Sequence, residues 1–433
     1  MQQPNIVYLH SHDTGRYVEP FGHAIPMPNM QRLAEEGVLF RQTFCAAPTC
    51  SPSRASLLTG QWPHSNGMLG LAHRGFALND YHQHLVHTLR SAGYSSTLIG
   101  VQHVAKDATT IGYDQVLETR GAAEHVVPRA ISFLDDAPST PFFVSIGFSE
   151  THRVFHPAGP AEDARYSLPP APLPDTPKVR QDMADYKASA RILDQGIGTV
   201  LDALDRNGLA ENTLVINTTD HGLAFPSMKC SLTDRGIGVL LIMRGPAGFS
   251  GGRVIDAMIS HIDIFPTICE ILGIDAPAWL QGRSIMPLLR EEAAEINDEI
   301  FAEVTYHAAY DPQRAVRTQR WKYIRRFDGR ERHVLPNVDD SPSKEVWLAH
   351  GWQERAMPQE QLYDLVFDPH EMANLATDPT YAETLAEMRG RLDGWMRRTD
   401  DPLLRGPVPL PPGGVANDVD ALSPNSPMFP SGD

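Results

Sequence analysis

Cysteines are few in this sequence, and its apolar runs are short. Only 4 of the 433 residues are cysteine and none lies in a CxxC pair, which excludes a disulfide framework. No stretch approaches the ~20 apolar residues that cross a bilayer, so we expect no membrane partner. The N-terminal segment MQQPNIVYLH has neither a basic region nor an apolar core followed by a cleavage site. We therefore expect a cytoplasmic protein.

Positive charge is also in short supply. The chain has 37 Lys and Arg residues against 53 Asp and Glu residues, and the formal net charge is −16. This balance argues against a protein that binds nucleic acid, or a membrane surface through a basic patch. A local cluster of basic side chains can still bind a small anionic substrate, and nothing in the composition excludes a homo-oligomer.

The order of apolar runs predicts an α/β fold with a large, mostly parallel sheet flanked by helices. Short apolar runs alternate with helical patterns over the first two-thirds of the chain, as in βα units. The predicted strands are residues 5–10, 96–100, 142–148, 214–218 and 239–243. The clearest helix is residues 184–204, in which Leu193, Ile197 and Leu201 recur at helical spacing.

Changes in composition and in the predicted elements along the chain indicate three parts. Residues 1–298 form the catalytic α/β domain, and residues 299–400 form a smaller C-terminal α+β domain with short strands and a closing helix near residues 381–398. Residues 401–433 are rich in Pro, Gly, Ser and Asp and have few apolar side chains. This composition predicts an extended or mobile tail.

Polar residues follow two of the predicted strands, where ligands bind in open α/β sheets. Strand 5–10 leads into His12 and Asp13, and strand 214–218 leads into Asp220 and His221. A carboxylate and an imidazole from each strand could together hold one divalent metal ion. The same spacing also suits a simple turn after each strand, and the spacing alone leaves both interpretations open.

A third segment is more specific. Residues 50–60 read CSPSRASLLTG, and Pro52 suits the first turn of a helix. The segment resembles the type I sulfatase signature C-x-P-S-R followed by L-x-T-G at every signature position. Residues 26–40, 260–274 and 362–376 resemble further blocks of the same family, which belongs to the alkaline phosphatase superfamily. Within it, residues 60–71 are most similar to the heparan N-sulfatase (sulfamidase) branch.

The resemblance implies a mechanism and its residues. In this family a formylglycine-generating enzyme oxidises the signature cysteine to formylglycine, whose hydrated aldehyde attacks sulfur and later expels sulfate. By position, the implied catalytic residues are Cys50, as nucleophile precursor, Arg54, which stabilises it, His103 and His152, which move protons, and Lys229, which binds sulfate. The implied metal ligands are Asp13, Asp220 and His221, with His12 and Cys50 beside them. Histidine suits proton transfer because the pKa of imidazole lies near neutrality.

Two positions depart from the family pattern. His12 stands where the family usually has a first Asp, and the lysine of the family's G-K-x-H stretch is absent near Val101. The family implies Ca²⁺, but imidazole ligands make Mn²⁺ or Zn²⁺ more plausible here. The lost lysine removes a positive charge from the sulfate pocket, and the candidates to replace it are Gln102, Lys106 and Arg153.

Three functions follow in order of preference. The first is formylglycine-dependent hydrolysis of a sulfate ester or sulfamate, with an amino sugar as a candidate substrate. The second is a phosphonate monoester or phosphodiester hydrolase on the same scaffold, since fold does not fix substrate. The third is a sulfatase-like protein whose unmodified Cys50 is a metal ligand. His64 and His73 are candidates to line the substrate pocket, whereas a structural role is favoured for Arg314 and Arg317.

Overall fold

The fold is built on one large mixed sheet. The computed structural model describes residues 3–136, 138 and 141–430. Within these residues the sheet has nine strands, which are β1 Asn5–Ser11, β2 Val38–Phe44, β3 Ser95–Gly100, β4 Gln115–Glu118, β5 Phe142–Gly147, β6 Thr213–Thr219, β7 Gly238–Val239, β8 Leu241–Arg244 and β9 Arg253–Ser260. Strands β4, β3, β5, β1 and β6 lie in this order and run parallel. Strand β8 runs antiparallel to its neighbours β6 and β2, and β2 also pairs with β7 and β9. The predicted α/β class with a mostly parallel sheet is confirmed.

Helices cover both faces of the sheet. In chain order the helices are α1 Pro28–Glu36, α2 Cys50–Thr59, α3 Pro63–Asn66, α4 Leu85–Ser91, α5 Ala123–Asp135, α6 Pro177–Arg206, α7 Asp234–Ile237, α8 Ile264–Leu272, α9 Met286–Leu289, α10 Pro342–Ala349 and α11 Ala382–Arg398. Side chains alternate along β1, so that Val7 and Leu9 pack with α1, α5 and α6, whereas Ile6 and Tyr8 pack with α2, α4 and α8. Among the described residues, no helix is long and apolar enough to cross a bilayer.

Two predicted elements have different bounds. Helix α6 begins seven residues before the predicted start at 184, because the Thr176 side chain caps it by accepting a hydrogen bond from the Val179 N–H. The predicted strand 239–243 is divided into β7 and β8. Leu240, between them, donates its N–H to the Gly15 carbonyl instead of to a strand partner.

The C-terminal part has its own sheet and packs against the first. Its four antiparallel strands are β10 Ile300–Tyr306, β11 Tyr310–Arg317, β12 Trp321–Arg326 and β13 Glu360–Asp364. One face packs on α11, with Val316 against Leu392 and Trp395 in one cluster. The other face packs on the large sheet, where Ala302 and Phe44 share a cluster. The division of the chain at residues 298 and 400 stays a prediction.

The segment after residue 401 is more closely held than its composition predicts. Strands β14 Val415–Asn417 and β15 Met428–Pro430 pair as a two-stranded sheet. Asn417 is buried, and its side-chain oxygen accepts a hydrogen bond from Arg74 at 2.8 Å. The extended or mobile tail stays a prediction, and the structure adds to it one buried polar contact, at Asn417, that the composition does not indicate. The last part of the predicted tail, residues 431–433, lies outside the described residues.

Four buried polar side chains form a network that joins α3 to the second sheet. His64 Nδ1 lies 2.6 Å from Glu303, and Arg314 Nε lies 2.6 Å from Asp401 and 3.2 Å from Glu303. All four side chains are fully buried. The expectation that His64 lines the substrate pocket is wrong, because its imidazole is fully buried and pairs with Glu303 in this network. Arg314 has the structural role that was favoured for it.

We expect the Arg314→Met variant to lose about 3–5 kcal/mol of unfolding free energy, because two buried carboxylates lose their guanidinium. The matched control is Arg32→Met, which removes a surface pair between Arg32 and Asp202 with a 2.8 Å contact and should cost less than about 1 kcal/mol. Urea unfolding followed by tryptophan fluorescence measures both. Equal losses in the two variants would contradict a stabilising role for the network.

Candidate active site

The site lies at the carboxyl ends of β1 and β6. These strands pair in parallel with Ser11 opposite Thr219, so the residues that follow them are neighbours. The structure therefore brings His12 and Asp13 together with Asp220 and His221. Helix α2 begins at Cys50 beside the same edge, and its thiol Sγ lies 3.3 Å from Nε2 of His221.

The Asp220 carboxylate holds these segments in place. Its Oδ1 accepts hydrogen bonds from the backbone N–H groups of Asp13 at 2.8 Å and of His221 at 3.0 Å. Its Oδ2 lies 2.9 Å from Arg54 Nη2 and 3.2 Å from His12 Nδ1. Burial favours the neutral acid, yet His221, Arg54 and His12 hold the pKa of Asp220 well below its usual range. Asp220 is thus a buried anion with partners on both oxygens.

The two histidines differ in their surroundings. His221 Nδ1 lies 3.1 Å from the Gly222 carbonyl oxygen, and donation to it leaves the lone pair of Nε2 facing Asp13 Oδ1 at 3.3 Å. Burial, together with the charge of Arg54, lowers the pKa of His12 to about 4. His12 is therefore suited to act as a neutral nitrogen ligand, and His221 offers Nε2 on the side of Asp13.

The signature segment, residues 50–60, holds the loops of the site through its side chains. Ser53 Oγ donates to the Asp220 carbonyl at 2.5 Å, and Arg54 donates to the Ser11 carbonyl at 2.8 Å. Cys50 itself is buried, and burial raises the pKa of its thiol well above the usual value although Lys229 opposes the shift. Burial thus favours the neutral form of the unmodified Cys50 thiol, which is a poor nucleophile.

Three further predicted residues face the same space. Lys229 Nζ lies 3.1 Å from Asp13 Oδ2 and 3.5 Å from His152 Nε2. The His12 ring lies 5.9 Å from the ring of His103 and 5.5 Å from that of His152, measured between centroids. Burial and the neighbouring His12 lower the pKa of His103 well below its usual value. All the predicted site residues thus form one group.

Two residues of the C-terminal part also reach the site. Asp339 Oδ2 lies 3.0 Å from Lys229 Nζ. His307 is buried, and burial and the Lys229 charge lower its pKa well below the usual value. The sequence analysis did not identify either residue. Asp339 lies in an irregular acidic stretch and His307 between two strands, and neither pattern carries a local signal of a site.

None of the three candidates replaces the absent lysine. Arg153 donates to both oxygens of Asp182, at 2.7 and 2.9 Å, and stacks over Phe155. Gln102 turns into its own loop and donates to the Ala105 carbonyl. Lys106 is exposed. The expectation of a compensating cation among them is corrected, because each is fixed by other partners or faces solvent.

The chemistry of the donor set fits a divalent metal ion. His12, Asp13, Cys50 and Asp220 each offer a ligand atom within 4.8 Å of the others. Asp13 Oδ1 is a buried polar atom without a hydrogen-bond partner. Such atoms are costly unless an ion or water satisfies them. This set has two carboxylates, one imidazole and one thiol, and a second imidazole, that of His221, lies 3.3 Å from Asp13 Oδ1.

A cavity of about 350 Å³ opens beside the histidines. His12, His103 and His152 line its inner end, and Val101 lies in its wall. Val154 stands at its mouth with 96% of its surface exposed. His73 is nearby, because its Nδ1 lies 3.0 Å from His103 Nε2. The cavity is large enough for a group of monosaccharide size, and its inner end is polar.

Known families match most of the chain. A sulfatase family model matches residues 4–274, and a model described as N-sulphoglucosamine sulphohydrolase, C-terminal, matches residues 228–346. The N-sulphoglucosamine sulphohydrolase of Homo sapiens is 30% identical over 444 residues, which cover 89% of this chain and 88% of the human protein. An ulvan-active sulfatase of Formosa agariphila is 28% identical over 466 residues, with 92% and 76% covered.

Solved structures share the fold. A protein in complex with its substrate D-glucosamine-2-N,6-O-disulfate gives a TM-score of 0.73 at 20% identity, covering 94% of this chain and 99% of that one. A phosphonate monoester hydrolase from Silicibacter pomeroyi gives 0.69 at 20% identity, covering 93% and 97%. These identities establish a shared fold and no more. With the family model over residues 4–274 and the human relative, they confirm the resemblance seen in residues 50–60: the chain belongs to the sulfatase family and is a sulfatase with an alkaline-phosphatase-like fold.

Proposed function

We propose that the protein hydrolyses a sulfate ester or sulfamate of a small sugar through formylglycine made from Cys50 and one divalent metal ion. The observation that supports this most is the position of Cys50. It is the first residue of α2, and its Sγ lies 3.3 Å from His221 Nε2, within the group of possible metal ligands. A helix N-terminus adds free N–H donors and partial positive charge, which favour a bound sulfate.

Each residue has a role in this proposal. Asp13, Asp220, His221 and His12 would hold the ion, with the group at position 50 beside them. When present, formylglycine supplies the oxygen nucleophile and the ion supplies positive charge near the sulfate oxygens. Arg54 stabilises charge at position 50, and Lys229 binds a sulfate oxygen.

Proton movement is assigned to the histidines that line the cavity. His152 donates a proton to the leaving oxygen or nitrogen as the bond to sulfur breaks, and 39% of its side-chain surface is exposed toward solvent. His103, in the same cavity, removes a proton from the group at position 50 so that sulfate can leave. Water then adds to the aldehyde at position 50, which restores the hydrated form and completes the hydrolysis.

The relatives support the substrate class. The human relative is named an N-sulphoglucosamine sulphohydrolase and the Formosa agariphila relative an ulvan-active sulfatase, so the first name itself gives a sulfated amino sugar as substrate. A cavity of about 350 Å³ with a polar inner end has room for such a group. Maturation requires a formylglycine-generating enzyme as partner. A homo-oligomer and a cytoplasmic location are further parts of the proposal.

We expect tandem mass spectrometry of the tryptic peptide 42–54 from protein made in its native host to show an aldehyde at position 50. Cys45, in the same peptide, is the internal control and should keep its thiol. Activity is measured on the same preparation with N-sulfoglucosamine, an aryl sulfate and an aryl phosphodiester. We expect both sulfated substrates to turn over at least tenfold faster than the phosphodiester.

Two outcomes contradict the proposal. An intact thiol at position 50, in a host whose maturation enzyme is active, would contradict the formylglycine mechanism and favour Cys50 as a metal ligand. Faster turnover of the phosphodiester would favour the phosphodiesterase alternative on the same scaffold.

The Cys50→Ala variant should lose at least 10³-fold in kcat, since it has no nucleophile.

The ligand set predicts the metal preference. After removal of metal by a chelator, we expect calorimetry to show at least tenfold tighter binding of Mn²⁺ than of Ca²⁺, because calcium prefers oxygen ligands. His12→Asp should reduce or reverse the preference for Mn²⁺ over Ca²⁺. His156→Asp is the control, since it makes the same change in the cavity wall, away from the ligand atoms. An unchanged preference in His12→Asp would show that His12 is not a ligand.

The absent lysine predicts a gain of binding. We expect Val101→Lys to lower KM for a sulfated substrate about threefold to tenfold, because it returns a positive charge to the cavity wall, and the gain should shrink at high salt. Val101→Met controls for side-chain length, and Lys106→Met controls for net charge outside the cavity. A similar fall in KM for Val101→Met would mean that packing, and not charge, is responsible.

A further inference from the structure

The C-terminal segment, residues 407–430, runs back across the active-site side of the molecule. We call it the C-terminal strap. Its first contact is with the second sheet, where the Val408 N–H donates to the Tyr310 hydroxyl and the Tyr306 hydroxyl donates to the Val408 carbonyl. Further along, the Gly75 backbone lies so close to Gly414 that a Cβ at Gly75 would come within 2.7 Å of the Gly414 Cα. The strap is thus fitted to the surface that it crosses.

The strap is fixed at a buried three-way contact. Arg74 Nη1 donates to the Ala308 carbonyl at 2.9 Å and to Asn417 Oδ1 at 2.8 Å, and the Asn417 N–H donates to the same carbonyl at 2.8 Å. Asn417 Nδ2 donates to the Ser426 carbonyl at 2.6 Å and thereby closes the hairpin. Asn417 is only 5% exposed, and Arg74 only 8%. The amide of Asn417 therefore uses both its oxygen and its nitrogen inside the contact.

A second contact lies at the tip of the strap. The Ser423 hydroxyl and Asn425 Nδ2 both donate to Asp340 Oδ2, the latter at 3.3 Å. Lys344 Nζ lies 2.9 Å from the other oxygen of Asp340. The loop that carries Asp340 is thus held from the strap side and from α10.

Three residues held by the strap are chain neighbours of residues at the active site. Arg74 follows His73, whose Nδ1 lies 3.0 Å from His103 Nε2. Ala308 follows His307, which is buried near Lys229. Asp340 follows Asp339, which lies 3.0 Å from Lys229. One segment therefore restrains three separate loops that border the site.

We propose that the C-terminal strap positions the wall of the active site, and that Asn417 is a positioning residue for catalysis. Asn417 fixes the loops of His73 and His307 through Arg74 and Ala308, and the tip of the strap fixes the loop of Asp339. These residues in turn orient His103 and Lys229, for which small displacements are costly. The catalytic part of this inference depends on the proposed function, whereas the restraint of the three loops does not.

The test uses the full-length matured protein and four variants. Asn417→Ala removes the side-chain hydrogen bonds to Arg74 and Ser426, and Arg74→Met removes the guanidinium on the other side of the contact. The Asn417 N–H bond to Ala308 remains in both variants. Asn417→Asp keeps an oxygen for Arg74 but loses the donor to Ser426. Leu422→Ala is the control, because Leu422 is 44% exposed on the strap.

Kinetics with a sulfated substrate separate positioning from stability. We expect kcat to fall about tenfold or more in Asn417→Ala, with KM changed less than threefold, when rates are normalised to the folded fraction. Arg74→Met should cause the same loss, and the double variant no more than either single one, as for coupled residues. Asn417→Asp should recover most of kcat, since its carboxylate still pairs with Arg74.

Hydrogen exchange tests the restraint without catalysis. In Asn417→Ala we expect faster amide exchange in residues 72–76, 306–310 and 337–341, with no change in α1, which lies away from the strap. An unchanged kcat in Asn417→Ala, or an equal loss in Leu422→Ala, would overturn the positioning role. Exchange that is unchanged in all three loops would overturn the strap itself. If the wild-type protein cleaves no sulfated substrate, the proposed function fails, and the exchange result still decides the restraint.

Discussion

A single buried carboxylate joins the parts of the active site. Asp220 accepts backbone N–H groups from its own loop and from the loop after β1, and it pairs with Arg54 of α2. A buried anion is tolerated only when such partners surround it, and removing any of them leaves a cost of several kcal/mol. The same group that orders the three segments also offers an oxygen to a metal ion. Stability of the site and its capacity to bind metal therefore rest on one side chain.

The second part of the chain completes the site electrostatically. Lys229 lies between Asp13 of the first sheet and Asp339 of the loop after β12, with Nζ about equally far from both. Far from this loop, Arg314 and Glu303 meet His64 in a network without solvent contact. Both contacts are between charged groups whose burial depends on the docking of the two sheets. Docking and site assembly are therefore parts of one event.

The sequence predicted what local pattern and strand pairing determine. Short apolar runs predicted β1 and β6, and their parallel pairing in the structure brings Asp13 and Asp220 together, where the spacing alone left a metal site and simple turns both open. It could not predict Asp339, because the distance between that loop and Lys229 depends on how the second sheet docks. It misplaced His64 for the same reason. The sequence did not predict the contacts of the strap because they depend on one buried polar residue, Asn417. The composition of a whole segment does not show the contact of a single residue.

The burial of Cys50 has a consequence for the order of events in the life of the protein. In the folded chain the residue is almost without solvent contact, and all of α2 around it is buried. An enzyme that oxidises a cysteine must reach its thiol, and the folded chain does not expose the thiol of Cys50. On the proposed function, the maturation enzyme must therefore modify Cys50 before the fold buries it. A substitution that speeds folding of the first sheet could yield a stable protein with less active enzyme, and slower folding could yield more.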